Sequence, residues 1–405
     1  MSIVDFLIGR PIPTSDERAE QIGVAKGIPI FGLDALSSAA YGPEAALTLL
    51  IPLGIAGLEY IVPLSLCIIA LLIIVFFSYR QTIAAYPGGG GSYTVAHQNL
   101  GTFPGLLAAA ALMIDYVLTA AVGISAGIGA LTSAVPSLHP RTLTLCLVAL
   151  VIITLVNLRG VSESGAVFMV PTYWFLASMF AAIAIGLVKI LFSGGHPVPV
   201  VAPPAAPAVA SAAGAWLLLK AFSSGCTALT GVEAVSNGTR AFGEPRVQTA
   251  QRTLGIIITS LVVMLAGIAF LAERYKIVAT DPDSDRYQSL LSMLFTAVSG
   301  RGWFYYAAIG SVLIVLIFSA NTAFADFPRV CHVLAEDCFL PLSFANRGRR
   351  LVYSQGIVVL AVLCGVILIV FGGVTDHLIP LYAVGAFLAF TLSQAGMVAH
   401  WQREG

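Results

Sequence analysis

Ten apolar runs, each of about 17 to 31 residues, divide this chain. An α-helix rises 1.5 Å per residue, so roughly 20 apolar residues cross a bilayer's hydrocarbon core. The runs lie at about 28–56, 61–84, 104–134, 142–158, 164–192, 214–238, 253–272, 303–325, 354–372 and 378–400. In lipid every backbone polar group must be satisfied within its own segment, which leaves helices for runs of this length. Composition agrees. Of 405 residues 58% are hydrophobic and 10% charged, against about 25% charged in a soluble domain. Lys and Arg together number 20 and so do Asp and Glu, so no charge excess points to nucleic acid or to disorder. A soluble enzyme and a disulfide-rich secreted domain are excluded. The expectation is an all-α polytopic membrane protein whose surroundings are the lipid bilayer.

Two apolar segments fall outside this count. Residues 193–213 are proline-rich and predict an extended extracytoplasmic loop, and 287–299 are short and predict an interfacial helix. The chain then divides into a polar N-terminal segment (1–26), five spans (27–192), the loop (193–213) and five more spans (214–402). The first 26 residues are polar and of mixed charge, so no cleavable leader is expected before the first run. Cys67, Cys146, Cys226, Cys331, Cys338 and Cys364 show no CxxC spacing and read as small packing residues.

Basic residues orient the spans. With a cytoplasmic N-terminus the inner segments carry Arg10, Arg18, Lys26, Arg80, Arg159, Arg240, Arg246, Arg252, Arg329, Arg347, Arg349, Arg350 and Arg403. The outer ones carry Arg141, Lys189, Lys220, Arg274, Lys276, Arg286 and Arg301. Thirteen against seven places both termini inside.

The two halves echo each other. SSAAYGPEA (37–45) and CTALTGVEA (226–234) align at an offset of 189, matching Gly42 with Gly231, Glu44 with Glu233 and Ala45 with Ala234. Five spans is an odd number, so the halves must be inverted, and interrupted helices at equivalent positions mark a midplane site. Gly42-Pro43 in the first span, and Ser223-Ser224-Gly225 with Gly231 in the sixth, predict those interruptions. A plain kink is the alternative.

Acids within the spans are costly, about 2.5–3.5 kcal/mol at a helix centre unless paired or hydrated. Asp34, Glu44, Asp115 and Glu233 have no Lys or Arg within four residues on their own helices. Each therefore needs a distant partner, water, a bound cation or its own proton. Asp34 could instead cap its helix, and Glu233 could brace the broken backbone or carry a coupling proton, since burial disfavours a carboxylate's charge. Ser37, Ser38, Tyr41, Tyr116, Thr119, Thr227, Thr230 and Tyr382 accompany the acids. Carboxylate, hydroxyl and freed carbonyl oxygens suit a monovalent cation, although any single Ser or Thr can bond back to its own helix. PGGGGSY (87–93) lacks the Lys of a phosphate-binding loop and reads as a flexible cytoplasmic joint. The run 335–350 reads as a solvated loop or a gate. The six histidines are scattered, and no Ser/His/Asp arrangement suggests an enzyme.

At LDALSSAAYGPEA, SYRQTIAAYPGGGGSYTVAHQNLG, IDYVLTAAVGISAG, NLRGVSES, KAFSSGCTALTGVEAVSN and HLIPLYAVGAF the chain resembles the KimA-type potassium transporters of the amino acid–polyamine–organocation (APC) superfamily. The likeness runs from about residue 5 to 402. It implies the LeuT-like five-plus-five inverted-repeat fold with helices 1 and 6 broken, a bacterial cytoplasmic membrane, and K⁺ uptake coupled to H⁺ without a cofactor. Carried onto this chain, the K⁺ ligands would be Asp34, Tyr41, Asp115, Tyr116, Thr119 and Thr230, with Tyr382 nearby and Glu233 coupling protons. The family pattern has Ser where this chain has Gly123. Members also continue past the tenth span with two more spans and a cytosolic domain, whereas this sequence ends at HWQREG, so a fragment is one reading and a homodimer is left open.

Potassium is favoured over a proton-coupled amino acid permease of the same fold. Such a permease offers free amides to a substrate carboxylate, and Asp34 and the bulky Tyr41 stand there instead. A channel is disfavoured because no carbonyl filter motif such as TVGYG occurs. A non-transporting receptor is disfavoured by the buried acids, and stays open for a truncated chain.

Overall fold

A computed structural model describes residues 21–160, 165–210, 212–284, 286–346, 348 and 352–404. Residues 1–20 (with Arg10 and Arg18), the VSES of NLRGVSES, and Arg347, Arg349 and Arg350 lie outside the described residues. Regular structure among those described is helical, apart from a single parallel bridge between Ile22 and Phe242.

The first apolar run forms α1 (Val24–Phe31) and α2 (Leu33–Leu50). The expected interruption at Gly42-Pro43 does not occur. Proline's fixed φ suits a helix and costs one backbone bond, and α2 runs through it. Gly42 serves packing instead, since a Cβ there would lie 2.6 Å from the Cβ of Ala228. The run bends earlier, at Gly32, where a Cβ would meet Ile257 and the Ile28 carbonyl oxygen at 2.6 Å. A 3₁₀ turn, Ile51–Gly57, then reverses the chain through Gly54 at φ 57° and leads to α3 (Leu58–Ala85).

The glycine-rich stretch precedes α4 (Ser92–Leu100), and Gly101 at φ 99° separates α4 from α5 (Thr102–Ala134). At 33 residues α5 is about 50 Å long. Its most apolar stretch is 78% buried, against 28% for α6 (Thr142–Leu158), so α5 is an interior pillar and α6 a peripheral helix. After α7 (Gly165–Phe192), residues 193–210 run without a helix. They are held at two points, by Val200 N donating to Ala297 O (2.8 Å) and Ala210 N to Pro52 O (2.8 Å).

The sixth run is not one helix. α8 (Ala215–Gly225) continues through Ser223 and Ser224, tightens into a 3₁₀ turn (Cys226–Leu229), unwinds, and resumes as the single turn α9 (Ala234–Asn237). Then come α10 (Arg246–Arg274), α11 (Leu290–Ser299), α12 (Trp303–Glu336), α13 (Ser354–Val370) and α14 (Thr375–Glu404). The helix near 287–299 exists but is not interfacial: every residue from Leu290 to Val298 is buried in protein. α12 extends eleven residues past the expected end at 325, to Glu336.

Among the described residues, seven helical stretches are long and apolar enough to cross a membrane, one of them the linked α2–α3 stretch. The outer faces of these helices, and of the shorter apolar helix α13, expose apolar side chains, such as Leu66 and Ile74 on α3 and Val366 and Val370 on α13. A water-soluble fold does not leave such faces bare; a multi-pass membrane protein must. Four of the cysteines (Cys146, Cys226, Cys331, Cys364) are buried, and Cys67 and Cys338 are exposed.

Candidate functional site

The unwound stretch between the 3₁₀ turn and α9 creates the site. Thr230 is extended (φ −66°, ψ 152°) and Gly231 turns the chain at φ 77°. Glycine is required there twice over. That φ disfavours a side chain, and a Cβ would lie 2.7 Å from Asp34 Oδ2 and 2.6 Å from Ala35 N. The Asp34 carboxylate, in the first turn of α2, therefore rests on the broken backbone. Two turns on, Tyr41 Oη shares a hydrogen bond with Thr230 Oγ1 at 3.1 Å. Ser38 Oγ donates to Ala228 O at 2.8 Å and binds α2 to the same turn.

The α5 pillar supplies the facing wall. Asp115, Tyr116 and Thr119 are all buried. Thr119 Oγ1 shares a hydrogen bond with Tyr382 Oη of α14 at 2.9 Å, and Asn237 Nδ2 of α9 donates to Tyr116 Oη at 3.3 Å. The Tyr41 and Tyr382 rings lie 6.4 Å apart, between centroids. So the eight residues singled out by sequence are all buried, and hydrogen bonds or direct contacts gather six of them (Asp34, Tyr41, Tyr116, Thr119, Thr230, Tyr382) around one break. Asp115 and Glu233 join through electrostatics. Asp115 is within reach of Glu233 and Asp34, and Glu233 of Asp34 and Asp326.

Asp326 was not foreseen. It stands one residue past the expected end of its span, but α12 runs on and brings it toward Asp34. It has a basic neighbour, Arg329 Nη1 at 3.1 Å. The available signal was an acid directly after a long apolar run. Asp115 Oδ1 and Glu233 Oε2 have no hydrogen-bond partner among the described residues.

Several hydroxyls are spent locally. Ser37 donates to Asp34 O (2.9 Å), Thr227 to Ser224 O (2.6 Å) and Thr230 to Thr227 O (2.8 Å). Glu44 stands apart from the site acids. It accepts from Tyr287 Oη (2.7 Å) and from Leu290 N (3.0 Å), at the N-terminus of α11, where a carboxylate is stabilised. A cavity of about 20 Å³, room for roughly one water, lies between Glu44, Tyr287, Asp376 and the Tyr41 ring. Gly123 leaves no space for a serine. A Cβ would come 2.7 Å from Ser319 Oγ and 2.8 Å from Leu316 O, so α12 already presents a hydroxyl where the family pattern has one on α5.

The glycine stretch is not a free joint. Gly90 N donates to Ser236 O (3.1 Å), Ser236 Oγ to Gly90 O (3.3 Å), and a Cβ at Gly89 would lie 2.9 Å from Asn237 O. It packs against α9, one turn beyond the break. Among the described residues no group of three or more His, Cys, Asp or Glu is placed to hold a metal ion.

The chain is 42% identical, over its whole length, to the potassium transporter KimA of Bacillus subtilis (strain 168), and spans 65% of that protein's length. Among solved structures it is similar to the Eremococcus coleocola manganese transporter in complex with an aromatic bis-isothiourea substituted compound (TM-score 0.40) and to a mutant of that transporter (0.37). Each is 13% identical, with 98% of this chain and 80% of the other covered. The family model described as amino acid permease matches residues 36–405, and the chain belongs to that family.

Proposed function

We propose that this chain takes up K⁺ in exchange for no other cargo, driven by H⁺ entering with it, by alternating access at the α8–α9 break. The observation that carries this reading is the meeting of Asp34, the Tyr41–Thr230 hydroxyl pair and Asp115 around unwound backbone. A bound cation would offset the cost of the site's buried acids, of which Asp115 and Glu233 each keep an oxygen without a partner among the described residues. Asp34, Tyr41, Asp115, Tyr116, Thr119 and Thr230 would replace a dehydrated K⁺ ion's water, with Tyr382 bracing Thr119, and Glu233 would carry the coupling proton. Identity to a protein named as a potassium transporter supports the choice of ion.

The architecture belongs to the same proposal: ten spans in two inverted halves, 27–192 and 214–402, joined by an outer segment 193–213. Support comes from helix pairing. α2 packs on α8, α3 on α10, α5 on α12 and α6 on α13, so four of the first-half spans each meet the span five places later. Both termini would face the cytoplasm of a bacterial inner membrane.

A proton-coupled amino acid permease is the second reading, favoured by the family description. Asp34 argues against it, because its carboxylate already occupies the backbone where an amino acid's carboxylate would bind. The test is K⁺ uptake by this chain in a bacterium lacking its own uptake systems. Uptake abolished by an uncoupler is expected. A correctly inserted chain that restores no K⁺ uptake but accumulates an amino acid would overturn the assignment.

A further inference from the structure

Eight buried side-chain polar atoms have no hydrogen-bond partner among the described residues, and they are not scattered. Four of them belong to Glu233, Tyr79, Ser92 and Ser393, each no more than 2% exposed. The Tyr79 hydroxyl, on α3, faces the hydroxyls of Ser92 at the start of α4 and Ser393 on α14, and Glu233 is within electrostatic reach of it. Asn237 Oδ1, one turn after Glu233 on α9, is a fifth unpaired atom, and Gly91 lies against it. Buried hydroxyls are ordinarily paired with protein or with ordered water, so this cluster marks a polar chamber.

The equivalent carboxylate in the other half has both oxygens paired. There Glu44, the counterpart of Glu233, takes both a tyrosine hydroxyl and the first amide of the short helix α11. Glu233 has the short helix α4 and Tyr79 on its side but leaves Oε2 unpaired. The chamber also lies close to one surface. Ser92 follows half-buried Gly91, and Pro87 and Gly88 just before it are exposed.

We propose that Tyr79, Ser92 and Ser393, with the water they hold, form a proton relay that joins Glu233 to the cytoplasmic face beneath the glycine stretch. This rests on the H⁺-coupled reading above. Each hydroxyl oxygen accepts one proton and releases its own. Glu233 is left as a carboxylate and one proton appears in cytoplasmic water, with only O–H bonds broken and made. The titratable groups facing Glu233 are Asp34 on α2, Asp115 and Tyr116 on α5, Asp326 on α12 and Tyr79 on α3. Among them only Tyr79 is in turn flanked by Ser92 and Ser393.

The experiment uses the chain in proteoliposomes with two readouts: Rb⁺/K⁺ exchange at equal pH on both sides, and K⁺ uptake driven by an imposed pH gradient with internal pH followed by a dye. Tyr79→Phe and Ser92→Ala are expected to keep exchange within about twofold and to lose proton-driven uptake by tenfold or more. Ser92→Thr, which keeps the hydroxyl, should restore it. Proton-driven uptake at the unmodified rate in both variants overturns the relay, as does loss of exchange in parallel with uptake, which would make the residues part of the cation path or the scaffold. An unmodified chain that exchanges cations but moves no protons overturns the coupled reading, and the relay with it.

Discussion

At the scale of single residues, the buried acids divide by what they touch. Glu44 has both oxygens engaged, by Tyr287 and by the Leu290 amide, and so anchors a helix. Asp34 lies on the Gly231 backbone and Asp326 has Arg329. Asp115 has one oxygen, Oδ1, with no partner among the described residues, which a bound cation would satisfy. Asp115→Asn preserves shape and removes the charge. A charge-assisted contact is worth about 1.5–3 kcal/mol, so K⁺ binding should weaken roughly 10- to 100-fold with the protein still inserted. Isothermal titration or Rb⁺ binding measures it, and unaltered affinity would remove Asp115 from the ligand set. The residue pattern could show that these acids lie in apolar runs. It could not separate Glu44 from Asp115, because the groups that satisfy Glu44 arrive from 243 and 246 residues away.

At the scale of elements, α2 and the 3₁₀ turn after α8 approach so closely that Gly42 faces Ala228 with no room between. Gly42→Val inserts a branched side chain into that contact, and overpacking of this kind costs about 1–3 kcal/mol. Thermal unfolding in detergent should show a clear drop in midpoint, with the Tyr41–Thr230 contact and cation binding disturbed together. Gly255→Ala in α10, where a Cβ meets nothing within 4 Å, is the matched control and should be neutral or slightly stabilising. Equal midpoints for the two variants would disprove the tight contact. The same position shows where reading by pattern fails. Gly-Pro suggests a break, yet Gly42 is there for a neighbour that sequence alone does not place, and Pro43 is carried by the helix around it. Thr230-Gly231 does unwind, because Gly231 has both a left-handed backbone and Asp34 pressed against it. Likewise the apolar span of α11 is too short to cross a membrane, but only its packing shows that it is buried on all sides.

At the scale of the molecule, the proposed inversion of the halves makes a demand that no local contact can satisfy. In the proposed repeat the glycine stretch linking α3 to α4 and the segment linking α10 to α11 would be equivalent loops, each leading into a short helix that faces a buried glutamate or its tyrosine neighbour. If the halves are inverted, these loops lie on opposite sides of the membrane. If the repeat is parallel, they lie on the same side. Gly88 and Asp283 are exposed in the two loops, and Val198 is 81% exposed in the segment between the halves. In a cysteine-free background, a membrane-impermeant maleimide applied to intact cells should label Asp283→Cys and Val198→Cys and leave Gly88→Cys unlabelled until the membrane is opened. The native Cys338, exposed after α12, should behave like Gly88→Cys when it is the only cysteine kept. Labelling of Gly88→Cys and Asp283→Cys from the same side would rule out the inverted arrangement and, with it, the assignment of the Tyr79–Ser92 chamber to the cytoplasmic face.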